Sequence, residues 1–230
     1  EPLSLDEAYL DVTDCDQFGN NATNIAREIR RLIFTERGLT ASAGIAPNKF
    51  LAKVASEWEK PNGQYTVVPD QVLGFVEKLP VGSILGVGKV TEKKMHGLGF
   101  ETCGDLRKTS RLELENHFGS WGHRLYDLSR GIDHRPVKTS RERKSLSVER
   151  TYSKSLKDYP QGVASIEKLY KEFVQRTEKV EGLAESTKSY FVKIKFDDFT
   201  RITREKQWKP SQVRLPSVEQ FLELFEQGWS

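Results

Sequence analysis

Two adjacent carboxylates, Asp6 and Glu7, stand immediately before Ala8, Leu10 and Val12, which alternate with Tyr9 and Asp11. Alternation of period two is the pattern of a half-buried strand, which places the acidic pair at the turn feeding that strand. The turn matters because consecutive side chains on a regular strand point to opposite faces. A tight bend can instead aim both carboxylates at one hard cation such as Mg²⁺, which takes oxygen ligands and keeps positions for water or substrate phosphate. An isolated Asp-Glu pair is more commonly a solvated turn, so its meaning depends on the rest of the chain.

After the acidic pair, helices and strands alternate. Ala22, Ile25, Ala26, Ile29, Leu32 and Ile33 repeat at helical spacing and predict an amphipathic helix over 21–36. A short strand is expected over 39–45, then a helix capped by Asn48 with Leu51, Val54, Ala55 and Trp58 as its buried stripe. Pro61 ends it, and Asn62-Gly63 turns the chain into a strand over 64–68. The resulting β-α-β-α-β order describes a sheet covered by helices. From Pro69 to Leu128, glycines such as Gly82, Gly97, Gly104 and Gly119 punctuate short helical pieces, which predicts a small all-helical domain. Residues 130–144 have no periodicity and read as a tether. A second α/β unit comes next: a strand near 146–151, a helix carrying Val163, Ile166, Leu169, Tyr170, Phe173, Thr177 and Val180, the alternating strand Tyr190, Val192, Ile194, Phe196, and a helix over 218–225. The fold class is thus α/β (α+β) and multidomain, with the last unit one strand short.

Overall charge says little about partners, since the net value is only +3. Its distribution says more. Between Arg130 and Lys157 nine cations, among them Arg141, Arg143, Lys144 and Arg150, face only Asp133, Glu142 and Glu149. Such a stripe is the footprint of a surface that tracks phosphates. On the last alternating strand, Lys193 and Lys195 share the face opposite Val192 and Ile194. Cys15 and Cys103 are far apart, and the four histidines lack metal-ligand spacing, so neither a disulfide framework nor a zinc site is indicated. A reducing cytoplasm fits, and no leader or transmembrane-length apolar run is present.

Gly86-Val87-Gly88-Lys89 fails both nucleotide-loop patterns: it has no third glycine for the dinucleotide fingerprint, and Val90 stands where a P-loop needs Ser or Thr. Between short helices it reads as a helix-hairpin-helix, whose backbone N–H groups can hold a DNA phosphate. Lys60, at the end of the Asn48 helix, would be favoured there by the helix dipole alone. Ser42 is a further candidate neighbour of the acidic pair, with no spacing that argues for nucleophilic catalysis.

The stretch from Ser4 to Asp11, the segment Ala41–Ser56 with Lys60-Pro61-Asn62-Gly63, the loop Leu85–Lys89 and the run Lys144–Thr151, in this order and spacing, closely resemble the Y-family DNA polymerases, the lesion-bypass enzymes. The resemblance covers nearly the whole chain. It implies the C-terminal part of a palm over 1–68, a helix-hairpin-helix thumb over 69–129, a basic tether over 130–144 and an incomplete little finger over 145–230. It implies template-directed nucleotidyl transfer past damaged bases, with Asp6 and Glu7 as catalytic and metal-binding residues for two Mg²⁺ ions. Lys60 would contact the triphosphate of the incoming nucleotide, and Lys53 and Lys49 are weaker candidates for the same role. Gly86, Gly88, Lys89, Arg141, Arg143, Lys144, Arg150, Lys193 and Lys195 would contact DNA. Primer-template DNA and deoxynucleoside triphosphates are the implied partners of a monomeric enzyme. A sliding clamp is a further one, although the usual clamp-binding peptide lies beyond this C-terminus. In the family a further aspartate near the N-terminus completes the metal site, and nucleotide-covering fingers accompany it. Neither is in this sequence, so the chain is expected to begin after the native start and, alone, not to extend primers. The alternatives are a non-catalytic DNA-binding or regulatory module and a two-metal nuclease.

Overall fold

The structure, a computed structural model, describes residues 1–140, 143–180, 182–208 and 215–229. The chain divides into two compact units, Glu1–Arg141 and Glu142–Ser230.

In the first unit, α1 (Ala22–Arg37) is capped by the Asn21 side chain and ends at Gly38, whose φ of 67° lies in the left-handed region that glycine adopts without strain. β1 (Ala43–Ile45) and β2 (Gln64–Thr66) pair in parallel, Gly44 opposite Tyr65, with α2 (Lys49–Trp58) as the crossover. Asn48 caps α2 as the sequence predicts, its Oδ1 accepting from the Leu51 N–H at 3.1 Å. β1 crosses so close to α2 that a Cβ on Gly44 would lie 2.0 Å from the Ala52 carbonyl oxygen. Trp58, expected in the buried stripe, is half exposed. It is the last residue of α2, and its indole packs on Tyr65 and Phe75 with ring centroids 5.8 and 5.0 Å away.

The strand expected over Ala8–Val12 does not form. Its only described pairing is an isolated antiparallel bridge between Pro2 and Ala8. The burial phase is also reversed: Tyr9 is buried, whereas Ala8 and Leu10 are exposed. The cause is the floor on which the segment lies, since the Lys49 ammonium stands 5.0 Å over the Tyr9 ring and draws that face inward.

The remainder of the unit is helical: α3 (Val72–Glu77), α4 (Lys89–Gly97), α5 (Cys103–Lys108), α6 (Arg111–Phe118) and α7 (Ser120–Leu128). A reciprocal capping box between Thr102 and Asp105 starts α5, and Ser110 caps α6. One hydrophobic core joins Phe50, Leu51 and Val54 of α2 to Val76, Leu79, Ile84, Met95, Leu106, Leu114, Leu125 and Leu128. Each fully buried aliphatic side chain there stabilises by roughly 1.5–3 kcal/mol. Burial also pushes the Cys103 thiol up to about 12, so it packs as a small hydrophobe.

Beyond the helices the chain runs back to α2. Asp133, with a 4% exposed side chain, is held bidentately by Arg135 (2.8 and 2.7 Å) and accepts the Phe50 N–H at 3.1 Å. Asn48 Nδ2 donates to the Gly131 carbonyl at 2.7 Å.

In the second unit, α8 (Tyr159–Thr177) begins at the Asp158 cap and is followed by the short α9 (Leu183–Ser186). β3 (Ser189–Lys195) and β4 (Arg201–Gln207) form an antiparallel hairpin, and α10 (Val218–Trp229) closes the unit. Tyr190, Val192, Trp208, Leu224 and Phe225 make its core. Gly162 of α8 lets Phe225 approach, since a Cβ there would sit 2.3 Å from the ring. The strand expected near 146–151 is not one. Leu146 and Val148 turn partly inward, but the segment has no ladder partner among the described residues. It is held instead by side chains of α8, Arg176 donating to the Ser147 carbonyl at 3.1 Å and Glu172 pairing with Arg150 at 2.6 Å. No described helix is long and apolar enough to cross a membrane.

Candidate active site

The acidic pair lies on a closed loop. Glu1 and Tyr9 exchange two backbone hydrogen bonds of 2.8 Å, and the Glu7 carbonyl accepts from the N–H groups of Leu3 at 2.8 Å and Ser4 at 3.3 Å. Residues 4–6 bend, as the turn expected there requires. Lys49 fastens the base of the loop to α2: its ammonium is buried, ion-paired with Glu1, and 3.3 Å from the Pro136 carbonyl.

Asp6 is exposed, and the Ser4 hydroxyl donates to its Oδ1 at 2.6 Å. That bond, reinforced by the charges of Lys60 and Lys53, holds the Asp6 carboxyl below its ordinary range, so it is ionised at neutral pH. Glu7 Oε1 pairs with Lys53 Nζ at 2.9 Å. Lys53 reaches Glu57 Oε1 at 2.9 Å, and the same oxygen accepts from Lys60 Nζ at 2.7 Å. Partial burial works against the Lys53 charge, but the hydrogen bonds it donates to Glu57 and Glu7 raise its pKa overall. Lys60 and then Lys53 lower that of Glu57.

The geometry comes from helix spacing. Lys49, Lys53 and Glu57 are four residues apart and share one face of α2, the face turned to the loop. Lys60 stands where the helix has ended, in a turn that is clamped: Arg30 of α1 donates to the Ala41 carbonyl at 2.8 Å and to Asn62 Oδ1 at 2.9 Å, while Ser42 Oγ accepts the Gly63 N–H at 3.3 Å. Glu7 and Lys60, candidates on two separate sequence motifs, are therefore linked through ion pairs, and Asp6, next to Glu7 in the chain, feels the charges of Lys60 and Lys53. Lys53, a secondary candidate, joins them, and so does Glu57, which no motif marks. The spacing Lys53-x3-Glu57-x2-Lys60 is the signal that could have found it.

Asp6 and Glu7 offer hard anionic oxygens, and only one oxygen of each is engaged by a described partner. That donor set suits part of the coordination of a divalent cation such as Mg²⁺. Among the described residues no group of three or more His, Cys, Asp or Glu side chains converges for a metal.

Elsewhere, Gly88 caps α4 with no side-chain bond, and Gly86 (φ 104°) packs against Trp121, where a Cβ would come within 3.1 Å of the indole. Lys89 and Val90 stand exposed at that helix start. Arg143 and Lys144 are exposed, and Arg150 is occupied by Glu172. Arg141 lies outside the described residues. On the hairpin, Tyr190 and Val192 face inward, while Phe191, Lys193 and Lys195 face outward. Register sets Lys195 directly opposite Arg201, a further cation that no sequence pattern singles out.

Family models described as the impB/mucB/samB family, the thumb domain of DNA polymerase-iota and the impB/mucB/samB family C-terminal domain match residues 1–57, 82–133 and 143–230 in that order. The fold matches the Y-family DNA polymerase chimera Dbh-Dpo4(243-245)-Dbh with a TM-score of 0.81 at 28% identity, over 99% of this chain and 64% of that one. The chain belongs to the Y-family DNA polymerases. Within that family it is similar to bacterial DNA polymerase IV: 49% identical to that of Protochlamydia amoebophila over 229 residues, spanning 100% of this chain and 64% of the relative. It is 62% identical over 156 residues to that of Neisseria meningitidis, which is 68% of this chain and 44% of the relative. The chain thus spans less than two thirds of the length of these relatives.

Proposed function

We propose that this chain is the portion of a DNA polymerase that carries two metal-ligand carboxylates and a phosphate-binding lysine for template-directed nucleotidyl transfer, including synthesis across damaged template bases. One observation carries the reading: Glu7 and Lys60, distant in sequence, are joined through the Lys53–Glu57 ion pairs on one side of α2, with Asp6 adjacent to Glu7. Asp6 and Glu7 would hold Mg²⁺, one ion or a pair. When bound, Mg²⁺ lowers the pKa of an attacking primer 3′-hydroxyl and neutralises the charge of a leaving pyrophosphate. Lys60, an ammonium on a flexible stem held by Glu57, would leave it to pair with the nucleotide triphosphate.

DNA would lie along surfaces that offer cations and backbone N–H groups rather than base-reading side chains. The start of α4, with Gly86, Gly88 and Lys89, can hold a phosphate on free N–H groups. The outer face of β3–β4 aligns Lys193, Lys195 and Arg201, and like charges set directly opposite each other are destabilising until an anion bridges them. Arg143, Lys144 and Arg150 extend the basic stripe, Arg150 after releasing Glu172. In this reading residues 1–68 are palm, 69–129 thumb, 130–144 tether and 145–230 little finger. A sliding clamp, a monomeric state and a cytoplasmic location belong to it too. The test is primer extension by this chain joined to the rest of a relative-length polymerase, on undamaged and lesion-bearing templates. Metal-dependent extension on both is expected; binding of primer-template without any extension would leave a DNA-binding module.

A further inference from the structure

The ion chain on α2 ends at the two groups that the proposed reaction needs, and its middle member has no role in that reaction. A single oxygen, Glu57 Oε1, accepts from Lys53 Nζ at 2.9 Å and from Lys60 Nζ at 2.7 Å. Lys53 donates onward to Glu7 Oε1 at 2.9 Å. We propose that Glu57 is a positioning residue for nucleotidyl transfer, dividing Lys53 between two carboxylates so that Glu7 stays available to a divalent cation, and holding Lys60 beside the site until a triphosphate takes it. This inference rests on the polymerase reading above.

Electrostatics and geometry both support it. Lys53 is the most enclosed member of the chain, at 22% exposure, and its described anionic partners are only Glu7 and Glu57. Remove the Glu57 charge and the ammonium has Glu7 alone, so it competes directly with a cation for that carboxylate. Lys60 is a point charge on a flexible four-carbon stem. Its described anchor is Glu57, and without it the ammonium samples many positions rather than the one it holds 2.7 Å from Glu57 Oε1. Glu57 is itself half exposed, so a triphosphate, with more charge than one carboxylate, can displace it from Lys60. The residue is strong enough to place the lysine and weak enough to release it. An exposed helix ion pair with no further role would be nearly silent when removed, and that difference makes the inference testable.

The experiment uses this chain extended to the length of its relatives and compares Glu57→Gln, Glu57→Asp and Asp6→Ala. Mn²⁺ binding is followed by electron paramagnetic resonance without nucleotide, and nucleotide kcat and KM are measured separately. Glu57→Gln is expected to weaken Mn²⁺ binding several-fold and to lower kcat about tenfold or more through misplacement, with KM changed little and the melting temperature unchanged. Glu57→Asp, which keeps the charge, should recover most of both. Wild-type Mn²⁺ binding and kcat in Glu57→Gln, while Asp6→Ala is inactive, would overturn this inference and leave the polymerase reading standing. Full activity in Asp6→Ala would overturn both.

Discussion

Charges are arranged in opposite ways on the two units. Along α2 and just past its end, Lys49, Lys53 and Lys60 each have a carboxylate partner, and one carboxylate, Glu57, is shared by Lys53 and Lys60. On the outer face of β3–β4, Lys193 and Arg201 have no carboxylate partner among the described residues, and Lys195 leans on the Phe199 ring at 4.3 Å instead. Pairing fixes side chains and keeps net charge near zero, which suits a site where ligands must be exchanged one at a time. An unpaired row leaves a standing positive potential, which suits a surface that must meet a long polyanion in any register. In the proposed reading, the same residue types do different work according to whether the structure supplies their counter-ions.

That contrast can be broken most severely at the paired site. In the extended chain, Asp6→Ala or Glu7→Ala should lower the turnover of primer extension by about 10²–10³-fold or more, while affinity for primer-template stays close to wild type because neither carboxylate attracts phosphate. Steady-state kinetics beside a DNA-binding titration checks both halves; a parallel loss of DNA affinity would mean that the acidic loop supports the DNA surface rather than a metal.

A smaller effect is expected at the other end of the ion chain. Lys60→Ala removes a charge-assisted phosphate contact of about 1.5–3 kcal/mol, which is roughly ten- to 150-fold in kcat/KM for the nucleotide. Nucleotide kinetics unchanged from wild type would reduce Lys60 to an ordinary partner of Glu57.

The smallest change is expected on the unpaired face, where each cation acts alone. Replacing Lys193 and Lys195 together by glutamine should flatten the slope of log affinity against log salt by up to about 1.8, at 0.9 for each neutralised phosphate. It should do so equally on unrelated sequences, and an unchanged slope would move the DNA surface to another face.

The parts legible in the sequence are those set by local spacing. The Asn48 cap, the Asn62-Gly63 turn, the helices of the first unit and the outward phase of Lys193 and Lys195 come from neighbouring residues alone. What escapes depends on distant partners. Ala8–Val12 alternates like a strand, yet alternation specifies a face and not a ladder, and the docked Lys49 chooses the other face. Leu146–Thr151 fails likewise, its contacts going to α8. β4 is hidden because Ile202 is the one apolar residue in Arg201–Gln207; the clue is the Asp198 turn, whose carboxylate accepts the Thr200 N–H at 2.8 Å and reverses the chain. In the candidate site, single residues can be read from motifs, but Glu57 shows its use only once Lys53 and Lys60 are seen on the same oxygen.

Asp133 has a consequence for how the first unit comes apart. Its carboxylate meets the Phe50 N–H across 83 residues of sequence, beside the Asn48–Gly131 bond of equal span. Closing so long a loop costs chain entropy that local contacts cannot recover, so the tie forms only when α2 and the segment after α7 are both in place. The first turn of α2 is thus held from outside by a residue that arrives last in sequence. Fraying at that helix start and detachment of the returning segment become a single event, and the α2 end of the shared core opens with the helices beyond it rather than ahead of them.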